Sequence, residues 1–162
     1  MKRWLPFPVL SAALTAGWLL LTSELSLAHA LLAAILGIII PLVTADFLGH
    51  LPRIISAKAA LRLFFLVLWD IVIANIAVSR LVLGPTAKLA PVFIRVPLAL
   101  SNPQSTSLLA SIITTTPGTV SAVIDAENRI LLVHALDCTN PDQLIADIKR
   151  RYEQPLLEIF GC

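Results

Sequence analysis

The chain has 162 residues, a formal net charge of +2, 57% hydrophobic residues and 14% charged residues. Soluble domains use about 45–50% apolar and about 25% charged residues, so an all-soluble fold is excluded and much of this chain belongs in a membrane. The basic residues are scattered without interleaved aromatics, which speaks against a nucleic-acid surface. Cys138 and Cys162 have no Cys or His at metal spacing, so both read as reduced thiols, and no metal or cofactor is expected.

The chain opens with Lys2 and Arg3 before an apolar run from Leu5 to Leu21. Ala28-His29-Ala30 has the small-x-small form of a signal-peptidase site, yet the residues after it, LLAAILGIIIPLV, form another lipid-compatible helix. The first run therefore reads as a retained membrane helix over about 5–22. Glu24 marks a turn, and a second helix follows over about 25–44. In it Ala30 and Ala34, and Ala33 and Gly37, are spaced four apart, a spacing that lets another backbone approach, while Pro41 is expected to kink its end. The two runs predict a tight membrane hairpin.

A mixed stretch with His50, Pro52, Arg53 and Lys58 leads to a third run over about 61–83. At 1.5 Å per residue it is roughly 34 Å long, enough to span with some tilt. It carries Asp70 and Asn75 in its middle, with Asp70, Ala74 and Ala77 on one helical face. A carboxylate at membrane depth is costly and takes either a partner or a job. A proton or cation path needs several ionisable groups in series and the middle of this run supplies one, so pairing with a basic group or backbone donor of a neighbouring helix, in this or another subunit, is the favoured reading. His29 and His50 fall near run ends, where an interfacial position accounts for them.

After Gly84-Pro85 the period changes. Val92, Ile94, Val96, Leu98 and Leu100 alternate with Phe93, Arg95, Pro97 and Ala99, a half-buried strand that Pro97 assigns to a sheet edge or a bulge. Asn102-Pro103 caps a helix whose apolar face is Leu108, Leu109, Ile112 and Ile113. Thr114, Thr115, Thr116, Pro117 and Gly118 end that helix, and from Thr119 the alternation to Asp125 predicts a strand. A polar turn, Ala126-Glu127-Asn128-Arg129, joins it to a strand over Ile130–Leu136. Asn140-Pro141 then caps a last helix with Leu144, Ile145, Ile148 and Tyr152 on its apolar face, and Lys149, Arg150 and Arg151 favourably placed against its dipole. The expectation is a membrane α-helical N-terminal half of two or three apolar helices, residues 1–84, followed by a small soluble two-layer α/β domain of order β-α-β-β-α, residues 90–162, like a split βαβ unit.

No phosphate-binding glycine loop, GxSxG elbow or HExxH is present. Ser111, Thr114, Asp125, His134 and Asp137 hold the residue types of a hydrolytic triad, but the turn already accounts for the threonines and His134 falls in a strand, so no catalytic group is assigned. The segments LLASIITTTPGTVSAVID (Leu108 to Asp125), LLVHALD (Leu131 to Asp137) and IKRRYEQPLLEIF (Ile148 to Phe160) resemble the E subunit of the Mrp-type (Mnh or Pha) multisubunit cation/proton antiporters of bacteria. The likeness covers nearly the whole chain. It departs where the family often has Asn-Ser-Ile-Thr-Leu-Thr before Pro-Gly-Thr: here Ser111, Ile112 and Thr115 stand at the places of Asn, Ser and Leu.

The resemblance implies an accessory, non-catalytic subunit that supports assembly and activity of an antiporter complex, in the bacterial cell membrane with its α/β domain cytoplasmic. Its partners would be the other subunits and the lipid bilayer, and sodium or potassium the cation. Two other classes compete: a stand-alone small carrier or channel using Asp70, and a membrane-tethered domain with Thr114 to Thr119 lining a site. Lys2, Arg3, Arg53 and Lys58 favour an inside N-terminus and an inside second loop, so three full crossings would carry the domain outside. Lys88 and Arg95 favour the inside, which agrees with the charges only when one of the three runs stops short of a full crossing.

Overall fold

The computed structural model describes residues 7–22, 26–45, 53–84 and 89–161. The expectations about Lys2, Arg3, Glu24, His50, Lys88 and Cys162 lie outside them. By packing, the chain divides into two compact units, residues 1–51 and 52–162.

The first unit is a pair of helices, α1 (Pro8–Thr22) and α2 (Leu27–Val43). Ser26 caps α2, its hydroxyl accepting from the His29 N–H at 3.3 Å. The seam between the helices is built of small residues. Ala33, Gly37 and Pro41 are the buried residues of α2 and Ser11 that of α1, while Ala30 and Ala34 are exposed, so of the two small-residue pairs in the sequence only Ala33–Gly37 makes the contact. A Cβ at Gly37 would fall on the Thr15 hydroxyl and 2.9 Å from the Ser11 carbonyl oxygen. That hydroxyl donates to the Ser11 carbonyl at 2.9 Å and lies 3.3 Å from the Ala33 carbonyl across the seam. Leu20, Leu31, Ile35, Ile39 and Val43 are exposed.

The second unit begins with α3 (Ala57–Leu83), four residues earlier than its apolar run. Ser56 accounts for the early start, its hydroxyl accepting from Ala59 N–H at 3.2 Å. Among the described residues α3 is the one helix long and apolar enough to cross a membrane, by length and composition; α1 and α2 are apolar but shorter. Next come β1 (Val92–Pro97), α4 (Pro103–Thr115), β2 (Thr119–Asp125), β3 (Ile130–Ala135), α5 (Pro141–Ile148), a π turn (Lys149–Glu153) and α6 (Gln154–Phe160).

The strands form one antiparallel sheet of order β1-β3-β2, so β1 and β2 run parallel with β3 between them, the expected split βαβ arrangement. Pro97 ends an edge strand, as its missing N–H requires. Asn102 accepts from Gln104 and Ser105 N–H, and Asn140 from Gln143 N–H, fixing the starts of α4 and α5. The hairpin turn is held by Asp125, whose carboxylate accepts from the Asn128 N–H and Nδ2, and Arg129 takes a φ of 53°. Those two contacts, the side-chain one foremost, hold the Asp125 carboxyl below its ordinary pKa.

Three expectations are revised. The period-2 pattern of β2 does not make one buried face: the register slips between Ser121 and Val123, and Val120, Val123 and Ile124 are exposed on an edge strand. Leu108 is 41% exposed, and the buried face of α4 is Ser105, Thr106, Leu109, Ala110, Ile112 and Ile113. Finally, the last helix, expected as one amphipathic helix with Tyr152 on its apolar face, is not one continuous α-helix. Pro155 has no N–H and crowds the carbonyl four residues back; the wider π turn just before it absorbs the misfit, with Gln154 N–H donating to Lys149 O, and α6 continues to Gly161 at φ 68°.

The core is closed by Val96, Leu109, Ile113, Leu131, Val133, Ile148, Leu156 and Ile159, joined by Ala59 and Leu63 of α3. Each large aliphatic contributes about 1.5–3 kcal/mol by leaving water. The α/β layer thus uses α3 as part of its own core.

Candidate functional site

Asp70 sits on the face of α3 that meets the π turn. The Arg151 guanidinium forks onto its carboxylate, with NH2 on Oδ1 and Nε 3.3 Å from Oδ2, and the Tyr152 hydroxyl donates to Oδ2 at 2.9 Å. Adjacent residues on an α-helix point about 100° apart, so two in a row seldom reach one carboxylate; a π turn narrows that angle. The Asp70 side chain is 12% exposed and that of Arg151 38%, so the pair is shielded on one side and screened on the other. Burial first, then the bond to Asp70, raises the Tyr152 pKa, and the same carboxylate raises that of Arg151.

Asn75, the other polar residue at mid-helix, only closes onto its own helix, Nδ2 donating to Ile71 O at 2.8 Å. It does not join Asp70.

The threonine corner is tied down hydroxyl by hydroxyl. Thr116 donates to Ile112 O, Thr115 to Ser111 O, and Thr119 to Ile113 O at 2.7 Å, while Thr114 accepts from the Ser121 N–H at 3.1 Å. Ser121 donates to Ala110 O, which stitches β2 to α4. Pro117 leads into Gly118 at φ 92°, where a Cβ would stand 3.1 Å from Val78 of α3. Thr114, Thr116, Pro117, Gly118 and Thr119 therefore build the joint of α4, β2 and α3, and every one of the four threonine hydroxyls is engaged with backbone.

The residue types of a triad are scattered. Ser111 donates to Ser107 O, Asp125 holds its turn, Asp137 accepts from the Ala90 N–H, and the His134 ring lies 4.7 Å from that of Phe93. Among the described residues no group of His, Cys, Asp and Glu could hold a metal ion.

Arg151, Tyr152 and Glu153 carry more of the geometry than the sequence assigned them. Lys149 and Arg151 are not simply solvated charges at a helix end. Lys149 Nζ donates to Pro97 O at 2.6 Å and pairs with Glu153 at 3.0 Å, and Arg151 crosses to α3. Glu153 is 2% exposed and accepts from the Ala99 N–H at 2.7 Å, fixing the chain where it leaves β1. The run Lys-Arg-Arg-Tyr-Glu immediately before Gln-Pro was the visible signal, since a proline there demands a break in the helix ladder.

Comparison with known proteins gives this geometry its setting. The Na+/H+ ion antiporter subunit family (MNHE) matches residues 11–159. The E subunit of a probable K+/H+ antiporter of Rhizobium meliloti is 33% identical over 99% of both chains. The E subunit of the Na+/H+ antiporter of Alkalihalophilus pseudofirmus is 30% identical over 93% of this chain and 96% of its own. A chain of the membrane-bound sulfane sulfur reductase, an archaeal respiratory membrane complex, shares the fold with a TM-score of 0.69 at 23% identity, over 96% of this chain and 98% of that one. The expected likeness to the Mrp-type proteins holds over nearly the whole length, and the chain belongs to the E-subunit family of the multisubunit cation/proton antiporters.

Proposed function

We propose that this chain is an accessory, non-catalytic subunit of its antiporter, resident in the bacterial cell membrane with its α/β domain on the cytoplasmic side, and that it works by packing and docking. The observation that carries this reading is the state of Asp70. The carboxylate that would have to exchange a proton or cation is occupied by Arg151 and Tyr152 of the same chain. Asn75, the nearest polar candidate for a next step, is turned back onto its own helix. A path needs ionisable groups in series, and between Arg62 and Arg80 α3 offers none besides Asp70. In this reading Asp70 and the threonine corner brace α3 against the α/β layer, so that the layer is presented rigidly to the other subunits. The relatives' names are divided between sodium and potassium, and no residue of this chain is assigned to choosing the cation.

The experiment is antiport by everted membrane vesicles carrying the whole complex with Asp70→Asn in this chain, normalised to assembled complex. Antiport per complex is expected to stay within about twofold of wild type, with any loss appearing as less complex assembled. Normal assembly with abolished antiport would make Asp70 part of the pathway instead.

A further inference from the structure

The apolar stretch of α3 is long enough to span a bilayer, but its neighbours forbid it. Contact with the α/β layer starts before the helix and runs almost to its end. Ile55 N–H donates to Ile159 O at 2.7 Å, Ala59 and Leu63 are buried in the core, and Leu66 and Val67 pack against it. Asp70 holds Arg151 and Tyr152, and Val78 closes on Gly118. Only about one turn of α3 lies beyond Val78, whereas a crossing needs about 20 residues.

The layer that accompanies α3 cannot follow it into hydrocarbon. It is a three-stranded open sheet with β1 and β2 as unpaired edges, and open edges are not tolerated in lipid. It also exposes Arg150, Glu127 and Asp142.

The opposite face of α3 has the composition of a lipid surface. Leu61, Phe64, Phe65, Leu68, Trp69, Val72, Ile73 and Ile76 are each at least 47% exposed. They occupy one side of the helix, away from the stripe Ala59–Leu63–Asp70–Val78. Arg62 and Arg80 stand on the same border of that face, about five turns apart, and Lys58 and Arg53 add charge at its start. Residues 53–84 expose no carboxylate, since Asp70 is turned inward. An apolar face bordered by basic residues, with an exposed tryptophan, matches a helix lying along an anionic bilayer surface.

We infer that α3 does not cross the membrane but lies flat in the headgroup–acyl boundary, its Leu61-to-Ile76 face in lipid and its Asp70 face carrying the α/β layer. The two remaining apolar runs of the sequence, about 5–22 and 25–44, then supply a pair of crossings that return the chain to the side of its N-terminus. That satisfies Lys2 and Arg3 together with Arg53, Lys58, Lys88 and Arg95 on one side.

The placement is tested by depth. Single nitroxide labels at Leu61→Cys, Phe65→Cys, Trp69→Cys and Ile76→Cys, with Cys138→Ser and Cys162→Ser, are introduced into the full chain. The chain is reconstituted in phosphatidylcholine–phosphatidylglycerol vesicles, and accessibility to oxygen and to a water-soluble nickel chelate is measured. Labels at Leu31 and Ile39 of α2 serve as the internal standard for a crossing. The expected result is one shallow depth, about 5–10 Å below the headgroups, for all four α3 labels. A spanning helix would separate Leu61 from Ile76 by about 22 Å along the normal, and that spread overturns the inference. So does exclusion of both reagents in the assembled antiporter, which would mean that another protein of the complex covers the face. The inference takes membrane residence from the proposed function, but a spanning profile leaves the accessory role intact, and lost antiport in the Asp70→Asn complex leaves the depth intact.

Discussion

The two compact units solve the same problem, holding helices together, with opposite chemistry. Between α1 and α2 there is almost no side chain to bury: Ala33 and Gly37 bring backbones close, and one threonine hydroxyl bridges. Lipid is as apolar as leucine, so close packing is the available glue for such a pair. The second unit holds α3 with an ordinary hydrophobic core at one end and a carboxylate clasp at its middle. That combination is the one that holds helices in soluble folds, where burial contributes and ion pairs are screened. The contrast teaches that α3, although the longest apolar helix described, is packed like a soluble helix on one side.

The sharpest break in the second unit comes from its core. Leu109→Ala removes a fully buried side chain between α4 and the sheet and is expected to cost about 2–5 kcal/mol, read from thermal unfolding of the full chain in detergent. In the first unit the corresponding break is overpacking. Gly37→Leu drives a side chain into Thr15 and the Ser11 carbonyl, costing about 1–3 kcal/mol, and should be visible as loss of Cys–Cys crosslinking between engineered positions across the α1–α2 seam. Gly37→Ala should do the same more weakly.

Glu153→Ala is expected to cost about 1–3 kcal/mol because the Ala99 N–H loses its hydrogen bond to a buried carboxylate, whereas Arg150→Ala, at an exposed pair with Asp147, should stay near zero. A smaller effect than that of Glu153 is expected at Tyr152. Its raised pKa means that the folded state keeps the phenol proton after the unfolded chain has released it, so its contribution is complete below about pH 10 and is lost as pH rises through the folded value. Tyr152→Phe should cost about 1 kcal/mol at neutral pH and flatten the alkaline fall in stability.

Much of this arrangement was legible in the residues. Asn-Pro at Asn102 and Asn140 gave both helix starts, because Asn caps and Pro tolerates the first turn, and Thr-Pro-Gly gave the corner. Pro97 at the sheet edge followed from its missing donor. The sequence did not reveal which side of α3 is dry, because Leu63 and Leu61 look alike until a partner face exists. Nor did it disclose that Arg151 reaches Asp70 across 81 positions of chain, since charge pairs distant in sequence leave no spacing signal. Ala30–Ala34 and Ala33–Gly37 were equal on paper; only the backbone approach at Gly37 separates them. The π turn was foreshadowed by Pro155, but its role in aiming two adjacent side chains at one carboxylate required the fold.

The central claim is that Asp70 acts as a brace between α3 and the α/β layer. A double-mutant cycle with Asp70→Asn and Arg151→Gln, measured as apparent stability of the full chain in detergent, tests it most directly. Mutual dependence predicts that the second substitution costs less once the first is made, with a coupling of about 0.5–3 kcal/mol and toward the lower end because Arg151 is partly exposed. Strict additivity of the two losses would contradict it.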